Sequence, residues 1–149
     1  MKRVLFVCLG NICRSPTAEA VFRARAAQAK IPVIVASAGT QSWHIGAPPD
    51  SRSVAEAEGH GYDMSGLQAQ KVQVSDFAKF DYILAMDQQN LIDLEQMRGG
   101  KGTKPQLFLD FANQQSTREV PDPYYGGPQG FANVVHLIEQ ASDGLLEIL

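Results

Sequence analysis

An α/β fold is predicted for this chain, with a doubly wound, four-stranded parallel sheet of flavodoxin-like topology and helices on both faces. Two observations predict it. Short apolar runs alternate with longer segments in which apolar residues recur at helical spacing. The first run, residues 4–8, shows no polar alternation, which is typical of a strand covered on both faces. Alternating strands and helices favour a parallel sheet joined by right-handed crossovers.

The first half of the chain predicts two strands and two helices. After the strand at residues 4–8, a helix is predicted over residues 16–28, with Ser15 as its N-cap and a proline in its first position. Residues 33–36 form the second strand. Asp50 is expected to cap a helix that ends near Glu58, before two glycines. Residues 63–75 give no clear periodic pattern.

The second half predicts two more strands and two more helices. Residues 82–86 form the third strand, and Asp87 caps the helix that follows. Residues 107–109 are expected to form the fourth strand, and residues 111–127 a long connection. The final helix is the most strongly patterned element, because its apolar residues recur at helical spacing: Phe131, Val134, Val135, Ile138 and Ala141.

Composition excludes several classes of protein. Hydrophobic residues make up 44% of the 149 residues and charged residues 19%, as in globular domains. Because no linker or repeat divides the chain, residues 1–149 are expected to form a single domain. The net charge of −3 gives no reason to expect a nucleic acid or an anionic membrane as partner. No apolar run approaches the roughly 18 residues of a spanning helix, and no secretory leader is evident.

The cysteines and histidines further restrict the kinds of site that the chain is expected to contain. The two cysteines lie five positions apart in one loop, which suits a reducing, cytoplasmic compartment rather than a disulfide framework. The histidines are scattered at positions 44, 60 and 136, with no spacing typical of metal ligands. We therefore expect His44, His60 and His136 to be structural or surface groups, and we expect no metal and no cofactor.

The segment between the first strand and the first helix predicts an anion site. It reads Cys8-Leu9-Gly10-Asn11-Ile12-Cys13-Arg14-Ser15. Gly10 and Asn11 tolerate left-handed backbone geometry, so the loop is able to curl its N–H groups around an anion at the helix N-terminus. Arg14 adds a planar fork of donors that matches two phosphate oxygens.

Cys8 lies in the field of those donors, which favours its thiolate at neutral pH. A thiolate beneath a bound phosphoryl group is positioned for in-line attack. The alternative is a buried structural cysteine at a strand end, with Arg14 as a surface charge.

Other side chains are expected at the same edge of the sheet, because parallel sheets bind ligands beyond the carboxyl ends of their strands. Trp43 follows the second strand and Asp122 follows the fourth. Asp122, between two prolines, suits a general acid that protonates a phenolate leaving group; the alternative is an ordinary turn aspartate. Trp43 and Tyr124 suit the aromatic walls of a substrate site, or simply pack in the core.

The chain resembles the low-molecular-weight protein tyrosine phosphatases over essentially its whole length. Four separated segments match the family in order: residues 8–15, residues 37–50, residues 81–90, and residues 120–125. The resemblance implies hydrolysis of tyrosine-phosphorylated proteins, and of small aryl phosphates, through a cysteinyl-phosphate intermediate. The phosphate loop would also hold free phosphate and other oxyanions.

The resemblance also implies roles for individual residues. Cys8 would be the nucleophile, Arg14 a phosphate ligand, and Asp122 the general acid and later the base. Trp43 and Tyr124 would line the substrate site; Tyr125 is less clear, and in some members the paired tyrosines are phosphorylated. The remaining substrate-binding positions are those of the phosphate loop: Leu9, Gly10, Asn11, Ile12, Cys13 and Ser15.

Two positions carry further expectations. Family members often protect an oxidised nucleophile as a disulfide, so Cys13 is expected to capture a sulfenic acid on Cys8, or else is a small apolar residue of the loop. Family members commonly carry a phosphate-loop-bracing histidine where this chain has Gln68. The Gln68 amide both donates and accepts, so it is the expected replacement for that brace.

Three other functions are weighed against this one. A phosphoarginine phosphatase is the closest chemically, but that branch carries threonine where this chain has Ile12. An arsenate reductase on the same scaffold needs further cysteines for its thiol relay, and this chain has two. A flavin- or phosphate-binding module would not need Cys8, Arg14 and Asp122 together.

Overall fold

A computed structural model describes residues 1–113, 117–125 and 127–149, without the side chain of Tyr125. Part of the predicted connection over residues 111–127 therefore lies outside the described residues, as does the side chain of Tyr125, one of the two tyrosines considered for phosphorylation.

The sheet contains four parallel strands in the spatial order β2-β1-β3-β4. The strands are β1 (Lys2–Cys8), β2 (Val33–Gly39), β3 (Tyr82–Ala85) and β4 (Gln106–Leu107). This is the doubly wound parallel sheet that the sequence predicted. From β1 the chain runs outward to β2, then crosses back over β1 to β3 and runs outward again to β4. The strand order therefore reverses between β1 and β3, where a ligand-binding crevice is expected.

The helices connect the strands and cover both faces. They are α1 (Arg14–Gln28), α2 (Ser51–Gly59), α3 (Asp76–Lys79), α4 (Gln88–Arg98) and α5 (Gly127–Leu146), with 3₁₀ turns at Phe108–Phe111 and Pro123–Tyr125. Helix α3 begins directly after residues 63–75, which show no clear periodic pattern. Within the described residues, no helix has both the length and the apolar character needed to cross a bilayer.

Strand β1 explains the division of the core into two layers. Its successive side chains point to opposite faces, so Phe6 packs with α1 and α5, whereas Leu5 packs with α3 and α4. The Phe6 ring makes edge-to-face contacts with Phe22 and Phe108, at centroid distances of 5.6 and 4.8 Å. Burial on both faces is the physical reason for the unbroken apolar run that was visible in the sequence. The predicted apolar residues of α5 are all buried.

The fourth strand was predicted wrongly in extent. Only Gln106 and Leu107 pair with β3, and the next residues turn into the 3₁₀ segment. Phe108 is fully buried against Phe6 in the core on the α1 side. The apolar run therefore reflects side-chain burial rather than pairing with a neighbouring strand.

Candidate active site

A cavity of about 250 Å³ lies at the carboxyl edge of the sheet. The end of β1, the loop after β2 and the segment before α5 converge there, as the parallel topology requires. Its walls come from ten residues: Cys8, Leu9, Gly10, Ile12, Cys13, Arg14, Trp43, His44, Asp122 and Tyr124. Asn11 and Ser15, which the sequence placed in the same loop, are buried beneath it.

The phosphate loop, formed by residues 8–15, enters α1 earlier than predicted. The helix begins at Arg14, and its N-cap is Cys13, which makes no side-chain capping bond. The predicted N-cap role of Ser15 is therefore wrong. Ser15 lies in the first turn, where its hydroxyl is 3.0 Å from Cys8 Sγ. Pro16 is tolerated beside it, because N–H groups in the first turn have no intrahelical acceptor.

Backbone hydrogen bonding leaves the loop with a surplus of donors. Its carbonyl groups accept from surrounding segments: those of Cys8 and Leu9 from the N–H groups of residues 40 and 41, and that of Ile12 from Asp50 N. Over the part of the chain that the structure describes, the N–H groups of residues 9–15 donate to no other protein atom. Buried N–H groups normally have partners. Unpaired donors around a cavity are what a bound oxyanion requires.

A directional hydrogen-bond network leads to Cys8. Ser37 donates to the buried Glu19 carboxylate at 2.7 Å, so its oxygen accepts from Asn11 Nδ2 at 3.0 Å. The amide orientation is set because Asn11 Oδ1 accepts from Gln70 N at 2.9 Å. Asn11 Nδ2 also donates to Ser15 Oγ at 2.7 Å. The Ser15 proton is thereby left for Cys8 Sγ or for the carbonyl of Ala38, 3.4 Å away.

The structure corrects the predictions made for Gly10 and Gln68. Asn11 has a φ of 57°, in the left-handed region, but Gly10 does not share that geometry. Gly10 is small for another reason: a Cβ there would lie 3.0 Å from His44 Cδ2.

Gln68 is exposed and makes no hydrogen bond within the described residues, so it is not the brace. Bracing comes from Asn11 and Ser37, together with Gln70, whose side chain donates to the Ser37 carbonyl.

Arg14 is held by two partners from other elements. Its Nη1 donates to Asp87 Oδ2 at 2.6 Å and to the Val120 carbonyl at 3.0 Å. Asp87 itself is fixed by a capping box with Asn90 at the start of α4. Burial by itself would lower the pKa of the Arg14 guanidinium, but the negative charges of Cys8 and Asp87 outweigh it, so the pKa is raised above its usual value. Arg14 is a permanent cation in the cavity wall.

Asp122 lies on the same wall. One carboxylate oxygen is 3.8 Å from Arg14 Nη2, and the other accepts from Tyr124 N at 3.1 Å. The side chain is about half exposed, at 45%, so solvent and substrate reach it. Of the other carboxylates that follow strand ends, Asp87 binds Arg14, whereas Asp110 pairs with Arg118 outside the cavity. Asp122 is thus the lining carboxylate that both faces the cavity and remains accessible.

The aromatic side chains form the mouth of the cavity. Trp43 is 66% exposed and Tyr124 43% exposed, so neither is a core residue. His44 also lines the cavity, beside Gly10, although it was expected to be a structural or surface group. Neither its type nor its spacing indicated this position. Asp87 was predicted as a helix cap and, from its place directly after a strand, at the same edge of the sheet; its contact with Arg14 was not predicted.

Cys13 is a buried thiol with a raised pKa. Burial, opposed by a hydrogen bond from Ser53 and reinforced by the negative charge of Asp50, raises the pKa of Cys13 to about 12. Cys13 is therefore a neutral thiol at physiological pH. Both cysteines are free and both line the cavity.

Comparison with known proteins agrees with this geometry. The family model described as low molecular weight phosphotyrosine protein phosphatase matches residues 3–149. The human protein of that name is 42% identical over 150 residues, covering 98% of this chain and 94% of its own length.

Solved structures extend the likeness to the fold. Bacillus subtilis YfkJ superposes with a TM-score of 0.93 at 41% identity, covering 99% of this chain and 94% of that one. A Drosophila protein described as an arginine phosphatase superposes with a TM-score of 0.92 at 33% identity, covering 99% and 97%. This chain, with its cysteine and arginine at the head of α1, belongs to the low molecular weight phosphotyrosine protein phosphatase family of hydrolases.

Proposed function

We propose that the cavity hydrolyses phosphotyrosine in protein substrates, with Cys8 as nucleophile, Arg14 as phosphate ligand and Asp122 as general acid. One observation carries the proposal: unpaired N–H donors, Arg14 and Cys8 surround one small cavity, and the accessible carboxylate of Asp122 lies in its wall beside Arg14. The same donors suit free phosphate and other oxyanions as inhibitors. A cytoplasmic location stays a prediction from the cysteine usage.

The first step transfers the phosphoryl group to sulfur. The Cys8 thiolate attacks phosphorus in line, the S–P bond forms, and the bond from phosphorus to the phenolic oxygen breaks. Asp122 donates its proton to that oxygen, so the phenol leaves as a neutral group. Arg14 and the loop N–H groups stabilise the charge on the equatorial oxygens. The Ser15 hydroxyl, aimed by Asn11, is placed to stabilise the sulfur anion at the end of the reaction.

The second step returns the enzyme to its starting state. Asp122, now ionised, removes a proton from a water molecule that attacks the phosphorus. The P–O bond forms, the S–P bond breaks, and Cys8 leaves as a thiolate while Asp122 regains its proton. The product is inorganic phosphate. No metal is needed for this balance of charge, because the loop and Arg14 supply the cationic surroundings.

Aromatic residues at the mouth favour an aryl phosphate. Trp43 and Tyr124 expose their rings above the floor formed by Cys8. A phosphotyrosine is long enough to place its ring between them while its phosphate reaches the floor. A phosphoserine side chain is too short to engage both parts.

A phosphoarginine phosphatase is the second candidate, since a Drosophila relative described as an arginine phosphatase shares the fold. Ile12 argues for the aryl substrate, because its apolar side chain lines the cavity. The apolar Ile12 side chain offers a guanidinium no acceptor to replace the water it would lose there.

The test is a substrate panel at mildly acidic pH, with peptides of one sequence that carry phosphotyrosine, phosphoserine or phosphoarginine. We expect kcat/KM for phosphotyrosine to exceed the other two by at least about 100-fold, as for a site that rejects a mismatched polar group. Faster cleavage of phosphoarginine would contradict the assignment. Cys8→Ser is the control that assigns any observed turnover to this cavity.

Arg14→Lys is expected to lose most of the activity although the charge is retained. The lysine ammonium is a point charge without the planar fork, so it cannot bind Asp87 and Val120 and also hold two phosphate oxygens. We expect kcat/KM to fall on the order of 10²–10³-fold, as on loss of a transition-state donor. Steady-state kinetics with a phosphotyrosine peptide provides the measurement. Near-normal rates would mean that the phosphate is held elsewhere.

We also infer that Cys13 is the resolving thiol for an oxidised Cys8. Support comes from the two free cysteines that share one cavity. Because Cys13 is a neutral thiol, it is suited to capture a sulfenic acid on Cys8 rather than to react first with the oxidant.

A further inference from the structure

Arg52, in the first turn of α2, joins two segments that are distant in sequence. Its Nε and Nη2 donate to the two carboxylate oxygens of Asp50, at 3.1 and 2.9 Å. Its Nη1 donates to the backbone carbonyl of Tyr124, at 3.1 Å. Arg52 is not among the residues that line the cavity, so it has no direct contact with the expected position of the phosphate.

The guanidinium is also placed between two aromatic rings. Its Cζ lies 5.0 Å from the centroid of the Tyr124 ring and 4.8 Å from that of Phe131. Both distances fall within the range of cation–π attraction. Phe131 is buried in α5, so one ring belongs to the rigid core and the other to the mouth of the cavity. Arg52 therefore holds Tyr124 by its backbone and by its ring.

The other end of this link is the phosphate loop. Asp50, which binds Arg52, donates from its backbone N–H to the Ile12 carbonyl at 2.8 Å. The path thus runs from the phosphate loop through Asp50 and Arg52 to Tyr124. Tyr124 N donates in turn to the carboxylate of Asp122.

Asp122 lies between two anchors. On one side, Val120 accepts from Arg14 and donates to the Met86 carbonyl at 2.8 Å. On the other side, Tyr124 is held by Arg52. Because Asp122 is accessible to solvent and its carboxylate is held by Tyr124 N, its distance from the phosphate loop depends on the Tyr124 anchor.

We propose that Arg52 is the positioning residue for proton transfer: it holds Tyr124, and through it Asp122, at a set distance from the phosphate loop. This rests on the proposed function, because it assumes that Asp122 is the acid. The role requires arginine, since an ammonium cannot bind a carboxylate with two donors, reach a carbonyl and stack on two rings at once. Asp50 is only 12% exposed, but Arg52 is 47% exposed, and an ion pair with one solvated partner contributes little to stability, so the effect of losing Arg52 should be on chemistry.

The experiment compares Arg52→Met and Arg52→Lys with the unmodified protein in single-turnover phosphorylation. The substrates are a phosphotyrosine peptide and a series of aryl phosphates with progressively better leaving groups. A displacement of the acid by about 1 Å costs roughly 10²-fold. We expect losses of roughly 10- to 100-fold with the peptide, shrinking to about twofold with the most activated phosphate. Inhibition by vanadate should be unchanged, because the phosphate loop keeps its donors.

Arg25→Met is the matched control. Arg25 also binds carboxylates with several donors, those of Asp143 and Glu139, but it joins α1 to α5 away from the cavity. Its loss should change the melting temperature without changing the dependence on leaving group. A second measurement is the double variant with Asp122→Asn. If Arg52 acts through Asp122, Arg52→Met should cost little more in that background.

The outcomes separate the two proposals. An equal loss with every leaving group, additive losses in the double variant, or no loss at all would overturn the role of Arg52. If the unmodified protein cleaves no aryl phosphate, or if Cys8→Ser retains multiple turnover, the proposed function fails instead. If Arg52→Met does not fold, Arg52→Lys carries the same comparison, since it keeps the charge and most of the stem.

Discussion

Replacing Cys8 with serine is expected to abolish turnover while leaving oxyanion binding largely intact. A serine hydroxyl at neutral pH is protonated and is a poor nucleophile. Loss of a nucleophile costs on the order of 10⁴–10⁶ in kcat. The measurement is multiple-turnover hydrolysis of a phosphotyrosine peptide, together with phosphate or vanadate binding by calorimetry.

Retention of oxyanion binding by Cys8→Ser is expected from the geometry of the site. Arg14 and the unpaired N–H groups of the loop do not depend on sulfur, and Ser15 retains its bond from Asn11. Cys13→Ser serves as the matched control in the same cavity: it alters a neutral thiol and should retain most of the basal rate. Measurable multiple turnover by Cys8→Ser would refute the covalent mechanism.

Asp122→Asn is expected to cost on the order of 10²–10⁴ in the rate of phosphorylation with a phosphotyrosine peptide. A phenolate with a pKa near 10 leaves slowly unless it is protonated as the P–O bond breaks. Asparagine preserves the acceptor for Tyr124 N and occupies nearly the same volume, but it has no proton to transfer. Single-turnover kinetics is required, because Asp122 is also expected to assist the later hydrolysis.

The internal control is the leaving group. With an activated aryl phosphate, whose phenolate departs without a proton, Asp122→Asn should cost far less in the same step. Equal losses for good and poor leaving groups would remove Asp122 from the acid role. Asp87 would then be the next carboxylate to test, since it reaches the site through Arg14, whereas Asp110 pairs with Arg118 outside the cavity.

The sheet could be predicted because its signal is local. Residues 4–8 are apolar without alternation since both faces of β1 are covered, and α5 shows its buried stripe in every turn. The phosphate loop was recognisable for a similar reason, because its cysteine, left-handed asparagine and arginine lie within eight consecutive residues. The convergence of residues 8, 43 and 122 followed from parallel topology alone, because every such strand ends at the same edge.

The errors share a different cause. Phe108 was assigned to a strand because apolar character records burial and does not report backbone pairing. Ser15 is a favourable N-cap by type, but its hydroxyl is used by Asn11 and Cys8 instead. Gln68 was assigned the brace by its place in the chain, whereas the contact is made by Gln70. That residues 1–149 act as one domain stays a prediction.

The sequence by itself therefore determined the class of fold and the place of the cysteine–arginine loop, since both are encoded by neighbouring residues and by strand order. The positions of His44 and Arg52, and the contact of Asp87 with Arg14, were decided only by the tertiary structure. Each depends on a distance between segments separated by tens of residues, such as the 72 positions between Arg52 and Tyr124. Hydrogen-bond direction, burial and the unpaired N–H groups of the loop depend on those distances, and no local pattern reports them.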